Sequence, residues 1–316
     1  MAMKNSADFS RRKFLTNTLA LATTIELQRA AFALGLFEDS DVCKLTPEQE
    51  VGPYYVADEL LRSNIVEDRP GIPLELRIAV LDARTCKPLP NVAVDIWHCD
   101  ALGLYSGYTA QNPMGPGGPP PGSQGGPPGF DPQHPHNHPG PPEGFGPPPQ
   151  NHPTDKLTFL RGIQITAPDG SVNFRTIFPG FYMGRTNHIH FKVRLDGHEA
   201  NKTYAAGHTS HNGQIFFPEE IAMQLMQHEP YANHKIHRTT QTEDHVFGDQ
   251  NGQLQIAKLQ LLQAGQFTKG LRAEIIAAAD PTATPSPVGP GGGPGMRPHR
   301  NPDPLKSYLP NSPLSF

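Results

Sequence analysis

The chain has 316 residues and a formal net charge of -4, which points to neither a nucleic-acid surface nor an acidic tail. Its 36 prolines and 31 glycines exceed ordinary usage and are clustered, so part of the chain is not packed core. The remainder is long enough for one large domain with a sizeable apolar interior.

The N-terminal stretch "SRRKFLTNTLALATTIELQRAAFA" carries Arg11 and Arg12, then Phe14 and Leu15, an apolar run and a small-x-small site at Ala31-Phe32-Ala33. It resembles a bacterial twin-arginine export signal over residues 1–33, and the protein is expected in the periplasm or outside the cell. The apolar run is too short and too polar to span a bilayer, and no other segment could span one. That export route carries folded cargo, which suits a protein that acquires a prosthetic group before leaving the cytoplasm. Three cysteines follow, Cys43, Cys86 and Cys99, and their spacing fits no zinc motif. An odd count in an oxidising compartment allows one disulfide and one leftover thiol, with Cys43–Cys86 the first pairing to consider.

From Cys43 to Pro73 the sequence is irregular and includes the turn-like "GPYYV". Alternation then begins. "LELRIAVLDA" (Leu74 to Ala83) and "VAVDIWHC" (Val92 to Cys99) read as period-two strands, with "RTCKPLPN" expected to join them as a hairpin. Residues 112–153 are almost entirely Pro, Gly, Gln, His and Asn, cannot form a core, and are expected to be a disordered insertion. Its "HPHNHP" could catch a metal ion, although a solvated polar loop is the simpler account of it. "FLRGIQITA", a Pro168-Asp169-Gly170 turn, "SVNFRTIF", "HIHFKVRL" and "GQIFFP" continue the strands. "PEEIAMQLMQ" reads as a short helix with Pro and acids at its start. "QLQIAKLQLLQ" and "GLRAEIIAAA" close the domain as strands, and residues 281–316 read as a disordered tail. Many short strands and one short helix predict an all-β protein, an antiparallel β-sandwich over 34–280.

The chemistry concentrates in "FYMGRTNHIHF" (Phe181 to Phe191). Side chains two apart on a strand share a face, so His188 and His190 project together and Ile189 projects away. A His-x-His pair alone is not diagnostic, because surface and core pairs are common. Tyr182 lies on a turn bounded by Pro, Gly and Gly-Arg, which can fold it back over the histidine face. A phenol is protonated at neutral pH, with a pKa near ~10 in water, but a trivalent cation lowers that strongly and makes it a hard anionic ligand. Imidazoles with phenolates suit ferric iron better than zinc.

Four blocks together resemble the intradiol ring-cleavage dioxygenases, the family of catechol, hydroxyquinol and protocatechuate dioxygenases. They are "PEQEVGPYYV", "VDIWHCDALGLYSGY", "FLRGIQITAPDGSVNFRTIFPGFYMGRTNHIHFKV" and "GQIFFPEE", of which the third is highly specific. The match is closest to exported single-domain bacterial members. The resemblance implies one Fe(3+) per chain, held by Tyr105, Tyr182, His188 and His190 with a solvent-derived hydroxide. Tyr108 competes with Tyr105 for its place, and the motif favours Tyr105. The resemblance also implies that Arg185 and Gln214 lie beside a bound aromatic diol and that Gly52, Pro53 and Tyr54 line its pocket. Tyr182, Arg185 and Gln214 are then the catalytic candidates, with Tyr182 as a base and Arg185 stabilising charge on the ring. The implied reaction is O2-dependent cleavage between the two hydroxyl-bearing carbons, giving a cis,cis-muconate-type product. One departure is Val51, where the family has an acid before "GPYY"; here Glu50 stands one place earlier. The rival reading is a non-catalytic exported β-sandwich that binds a ligand or captures metal.

Overall fold

In the computed structural model of the chain, the described residues are 44–57, 59–110 and 152–285. The export signal, Cys43 and nearly all of the low-complexity insertion and tail lie outside them. The described residues form two four-stranded sheets. One has the order β4 (Ser171–Ile177), β1 (Pro73–Asp82), β8 (Leu271–Ala279), β7 (Lys258–Leu261). The other has the order β3 (Arg161–Ile165), β2 (Ala93–Trp97), β5 (His188–Ala200), β6 (Thr203–Phe216).

The alternation seen in the sequence builds the interior. Leu74, Leu76, Ile78 and Val80 of β1 point inward and meet Val94, Ile96, Ile189, Phe191, Val193 and Ile215 of the other sheet in one apolar cluster. Each such fully buried side chain contributes about 1.5–3 kcal/mol relative to exposure. The expected all-β sandwich is therefore the architecture. One strand pair departs from antiparallel: β1 runs parallel to β8, while every other pairing is antiparallel.

Two expected connections differ. The "RTCKPLPN" loop does not make β1 and β2 a hairpin, because the two strands lie in different sheets. The chain turns back briefly on β1, where Asp82 N–H donates to the Lys87 carbonyl at 2.9 Å, and then crosses over. Cys86 in this loop is disulfide-bonded, whereas Cys99 is a buried free thiol. The Pro168–Gly170 turn likewise passes from one sheet to the other. Gly170 has φ +72°, and a β-carbon there would lie 2.6 Å from the Val80 carbonyl oxygen.

β5 and β6 form a hairpin longer than its sequence pattern indicated. Asn201 and Lys202 turn it with φ of 51° and 65°, the left-handed pair that a tight hairpin requires. The expected helix is α1 (Glu219–Leu225), which buries Ala222 and Leu225 and carries Glu219 and Glu220 in its first turn. A second, α2 (His245–Asp249), is capped by Asp244, whose carboxylate accepts from Val246 and Phe247 N–H. No helix among the described residues is long and apolar enough to cross a membrane.

The outer face of the β3-β2-β5-β6 sheet is not left to solvent. The irregular segment 45–66 crosses it. It is fixed by Gln49 N–H to the Asn212 carbonyl (3.0 Å), Leu61 N–H to the Lys202 carbonyl (2.8 Å) and Arg62 N–H to the Ile163 carbonyl (2.9 Å). Tyr55 adds a hydroxyl bond to the buried Asp95 carboxylate at 3.1 Å. The covered face carries the candidate site.

Candidate active site

Strand register places the first row. Arg161 of β3 pairs with Trp97 of β2, Trp97 with His190 of β5, and His190 with Gln214 of β6. With Ile189 and Phe191 in the core, His188 and His190 both face outward under the covering segment, as the period-two reading requires. The Trp97 and His190 rings stack at 4.9 Å and 2°. The His188 and His190 rings are 4.7 Å apart and nearly perpendicular, with their Nε2 atoms 3.1 Å apart.

Tyr182 reaches these rings through a turn. Arg185 N–H donates to the Tyr182 carbonyl at 3.0 Å, and Gly184 supplies φ +82°. The Gly184 N–H is tied to Thr239 Oγ1 at 3.0 Å. The Tyr182 ring then lies 5.7 Å from His188 and 5.8 Å from Tyr105.

Tyr105 comes from the loop after β2. Asp100 accepts from Leu102 and Leu104 N–H at 2.9 and 3.0 Å, and Ser106 Oγ donates to the Phe159 carbonyl at 2.6 Å. Arg161 donates to the Ser106 carbonyl at 2.7 Å and so pins the loop from the sheet side. The two competing tyrosines are distinguished by their hydroxyls. Tyr108 donates to the Tyr55 carbonyl at 3.1 Å, while the buried Tyr105 hydroxyl has no hydrogen-bond partner.

The expected pocket residues are also here. Tyr54 stacks on Tyr105 at 4.5 Å and meets Tyr182 edge-on at 5.8 Å. Pro53 is half-buried beside it in the same turn. Gly52 has φ +70°, and a β-carbon there would lie 3.3 Å from His190 Nε2. Gln214 is fully buried, its side-chain N–H donating to the Glu50 carbonyl at 2.9 Å and its side-chain oxygen accepting from Arg185 Nη2. Arg185 Nη1 lies 3.5 Å from the Tyr182 hydroxyl.

Electrostatics follow from burial. Desolvation, aided by the Arg185 charge, holds both imidazoles well below the usual histidine range, so both are neutral. Burial pushes the Tyr105 and Tyr182 phenols up, and Tyr54 up to about 12. Burial also raises the Glu50 carboxyl against the pull of Arg185. A third buried imidazole, His98, is structural. Its ring nitrogens are engaged by the Cys99 carbonyl at 2.8 Å and by Thr176 Oγ1 at 2.7 Å.

These groups fit a hard trivalent cation. Thr186 accepts from His188 Nδ1 at 2.7 Å, which leaves the Nε2 lone pair facing His190. Two metal–imidazole bonds of about 2.1 Å at a right angle place their nitrogens about 3 Å apart, close to the separation here. Among the described residues no group of three or more His, Cys, Asp or Glu could hold a metal, and the Tyr182 phenol ring lies 5.7 Å from that of His188. The Tyr105 ring lies 5.8 Å from that of Tyr182, and its buried hydroxyl has no other task.

Sequence reasoning missed Asp244. Its carboxylate oxygens each lie 3.1 Å from Arg185 Nε, and Oδ2 accepts from Thr186 N–H at 2.9 Å while Oδ1 caps α2. One buried carboxylate thus fixes Arg185 and the Thr186 backbone that orients His188. The only sequence cue was an N-cap aspartate before "HVF". Trp97 was also given no role, though it lies in a quoted block.

No protein-family model matches the chain, and no curated protein does. Among solved structures, the intradiol ring-cleavage dioxygenase from Tetranychus urticae is 31% identical, with 77% of this chain and 98% of that one covered and a TM-score of 0.58. A second dioxygenase crystal structure gives the same values of 31%, 77%, 98% and 0.58. The dioxygenase domain of a carbohydrate-binding fusion from Streptomyces sp. SirexAA-E is 24% identical, with 75% and 99% covered and a TM-score of 0.44. The chain belongs to the intradiol ring-cleavage dioxygenase family, and its general function is that of a dioxygenase.

Proposed function

We propose that the protein holds one ferric ion between Tyr105, Tyr182, His188 and His190. In this reading it cleaves a catechol-type diol between the two hydroxyl-bearing carbons, using O2, to a cis,cis-muconate-type product. The observation that carries the reading is the convergence of two neutral imidazoles, 3.1 Å apart at Nε2, with a buried phenol that has no hydrogen-bond partner. When bound, ferric iron would lower the phenol pKa values and draw a catecholate close enough for reaction with O2.

The chain's own residues do the rest. The diol must lose protons, and the Tyr182 oxygen, 3.5 Å from Arg185 Nη1, would hold one. Arg185 is cationic at any working pH and would stabilise negative charge building on the ring. Gln214 and Asp244 hold its guanidinium in place. Tyr54, stacked on Tyr105, walls the ring's entry and helps to exclude water. The twin-arginine segment supports export, and the disulfide at Cys86 suits an oxidising compartment.

Oxygen uptake tests the reading. Iron-loaded protein should consume one O2 per diol cleaved with at least one of catechol, 4-methylcatechol or hydroxyquinol, and Tyr182→Phe should slow turnover at least about tenfold. Absence of uptake with every diol would return the protein to the non-catalytic binding reading.

A further inference from the structure

The buried guanidinium groups around the site already face carboxylates. Arg185, 4% exposed, faces both Asp244 oxygens at 3.1 Å and Glu50 Oε1 at 3.5 Å. Arg161 faces Glu59 at 3.6 Å. Lys192 Nζ lies 3.4 Å from the Tyr55 ring centre, and Asp95 pairs with Arg194 at 3.5 Å. With both of its carboxylates ionised, the surplus beside Arg185 is negative.

Glu50 is held where that surplus matters. Its N–H donates to Gln250 Oε1 at 2.9 Å, and its carbonyl accepts from Gln214. Two residues on, Gly52 lies against the His190 edge. The Glu50 side chain is 5% exposed, and its Oε2 has no hydrogen-bond partner. Buried carboxylates without a full set of partners repel any further anion strongly, because little solvent screens them.

We propose that the site accepts diols whose ring substituents are uncharged and discriminates against diols carrying a ring carboxylate, with Glu50 as a specificity-determining side chain. The inference rests on the ring-cleavage reading of the same site. An arriving carboxylate would need a cation with charge to spare, and Arg185 is shared between two carboxylates already. A methyl, hydroxyl or alkoxy substituent meets no such penalty.

The test compares two diols of similar size, 4-methylcatechol and protocatechuate. Their Kd values are measured by calorimetry on anaerobic ferric holoenzyme at pH 8, and kcat/KM by oxygen uptake. 4-Methylcatechol should bind at least about tenfold tighter. Glu50→Gln should narrow that ratio several-fold, whereas Glu50→Asp, which keeps the charge, should restore it. Equal binding of the two diols, or a ratio indifferent to Glu50→Gln in folded protein, would overturn the inference and leave the ring-cleavage reading intact. Binding of neither diol would overturn both.

Discussion

Gly52 shows how one missing side chain shapes the site. Its φ of +70° is a conformation other residues adopt only at a cost, and a β-carbon there would lie 3.1 Å from His190 Cε1 and 3.3 Å from Nε2. Gly52→Ala should therefore destabilise the fold by about 1–2 kcal/mol in urea titration. It should also weaken iron retention by crowding the nitrogen proposed as a ligand. Full iron occupancy with unchanged stability would remove Gly52 from the account. The two histidines beside it were legible in the sequence, because period-two alternation fixes which face they share. The choice between Tyr105 and Tyr108 was legible only through family resemblance. What separates them physically is that Tyr108 is spent on the Tyr55 carbonyl, a contact between positions 53 residues apart.

β5 and α2 meet through a single carboxylate. Asp244 caps α2 and holds Arg185, and its bond to Thr186 N–H sets the stretch whose carbonyl fixes His188. Removing one partner of a buried charge pair typically costs about 3–5 kcal/mol. Asp244→Asn retains an acceptor for the cap but gives up the charge, so a loss near the low end of that range is expected in urea titration. Its kcat should fall more than KM rises, since Arg185 would be misplaced rather than the diol pocket closed. A variant with wild-type kcat would show that Arg185 is held adequately by Glu50 and Gln214 alone. The strands themselves were readable from alternation, but their partners were not. Parallel pairing of β1 with β8 joins segments nearly the whole domain apart, and the loop after β1 crosses sheets where a hairpin was expected. Asp244 was unreadable for the same reason: its partner lies 59 residues away, and its one local cue, the cap position before "HVF", says nothing of that partner.

Across the whole domain, the sandwich interior is apolar and the chemistry lies on its covered outer face. The segment 45–66 seals that face and carries Glu50, Gly52, Pro53 and Tyr54 to it, while the loops after β2 and β4 bring Tyr105 and Tyr182. Four side chains, Tyr105 from one stretch and Tyr182, His188 and His190 from another, thus gather beneath one strap. Without a cation, burial keeps both phenols protonated; with ferric iron bound, both should ionise and colour the protein. The visible absorption spectrum of iron-loaded protein, read against its iron content, tests this most directly. One iron per chain with a broad tyrosinate-to-iron band is expected, altered in Tyr105→Phe and in Tyr182→Phe. Iron-replete protein with no visible band, or a band indifferent to both substitutions, would contradict the proposed centre.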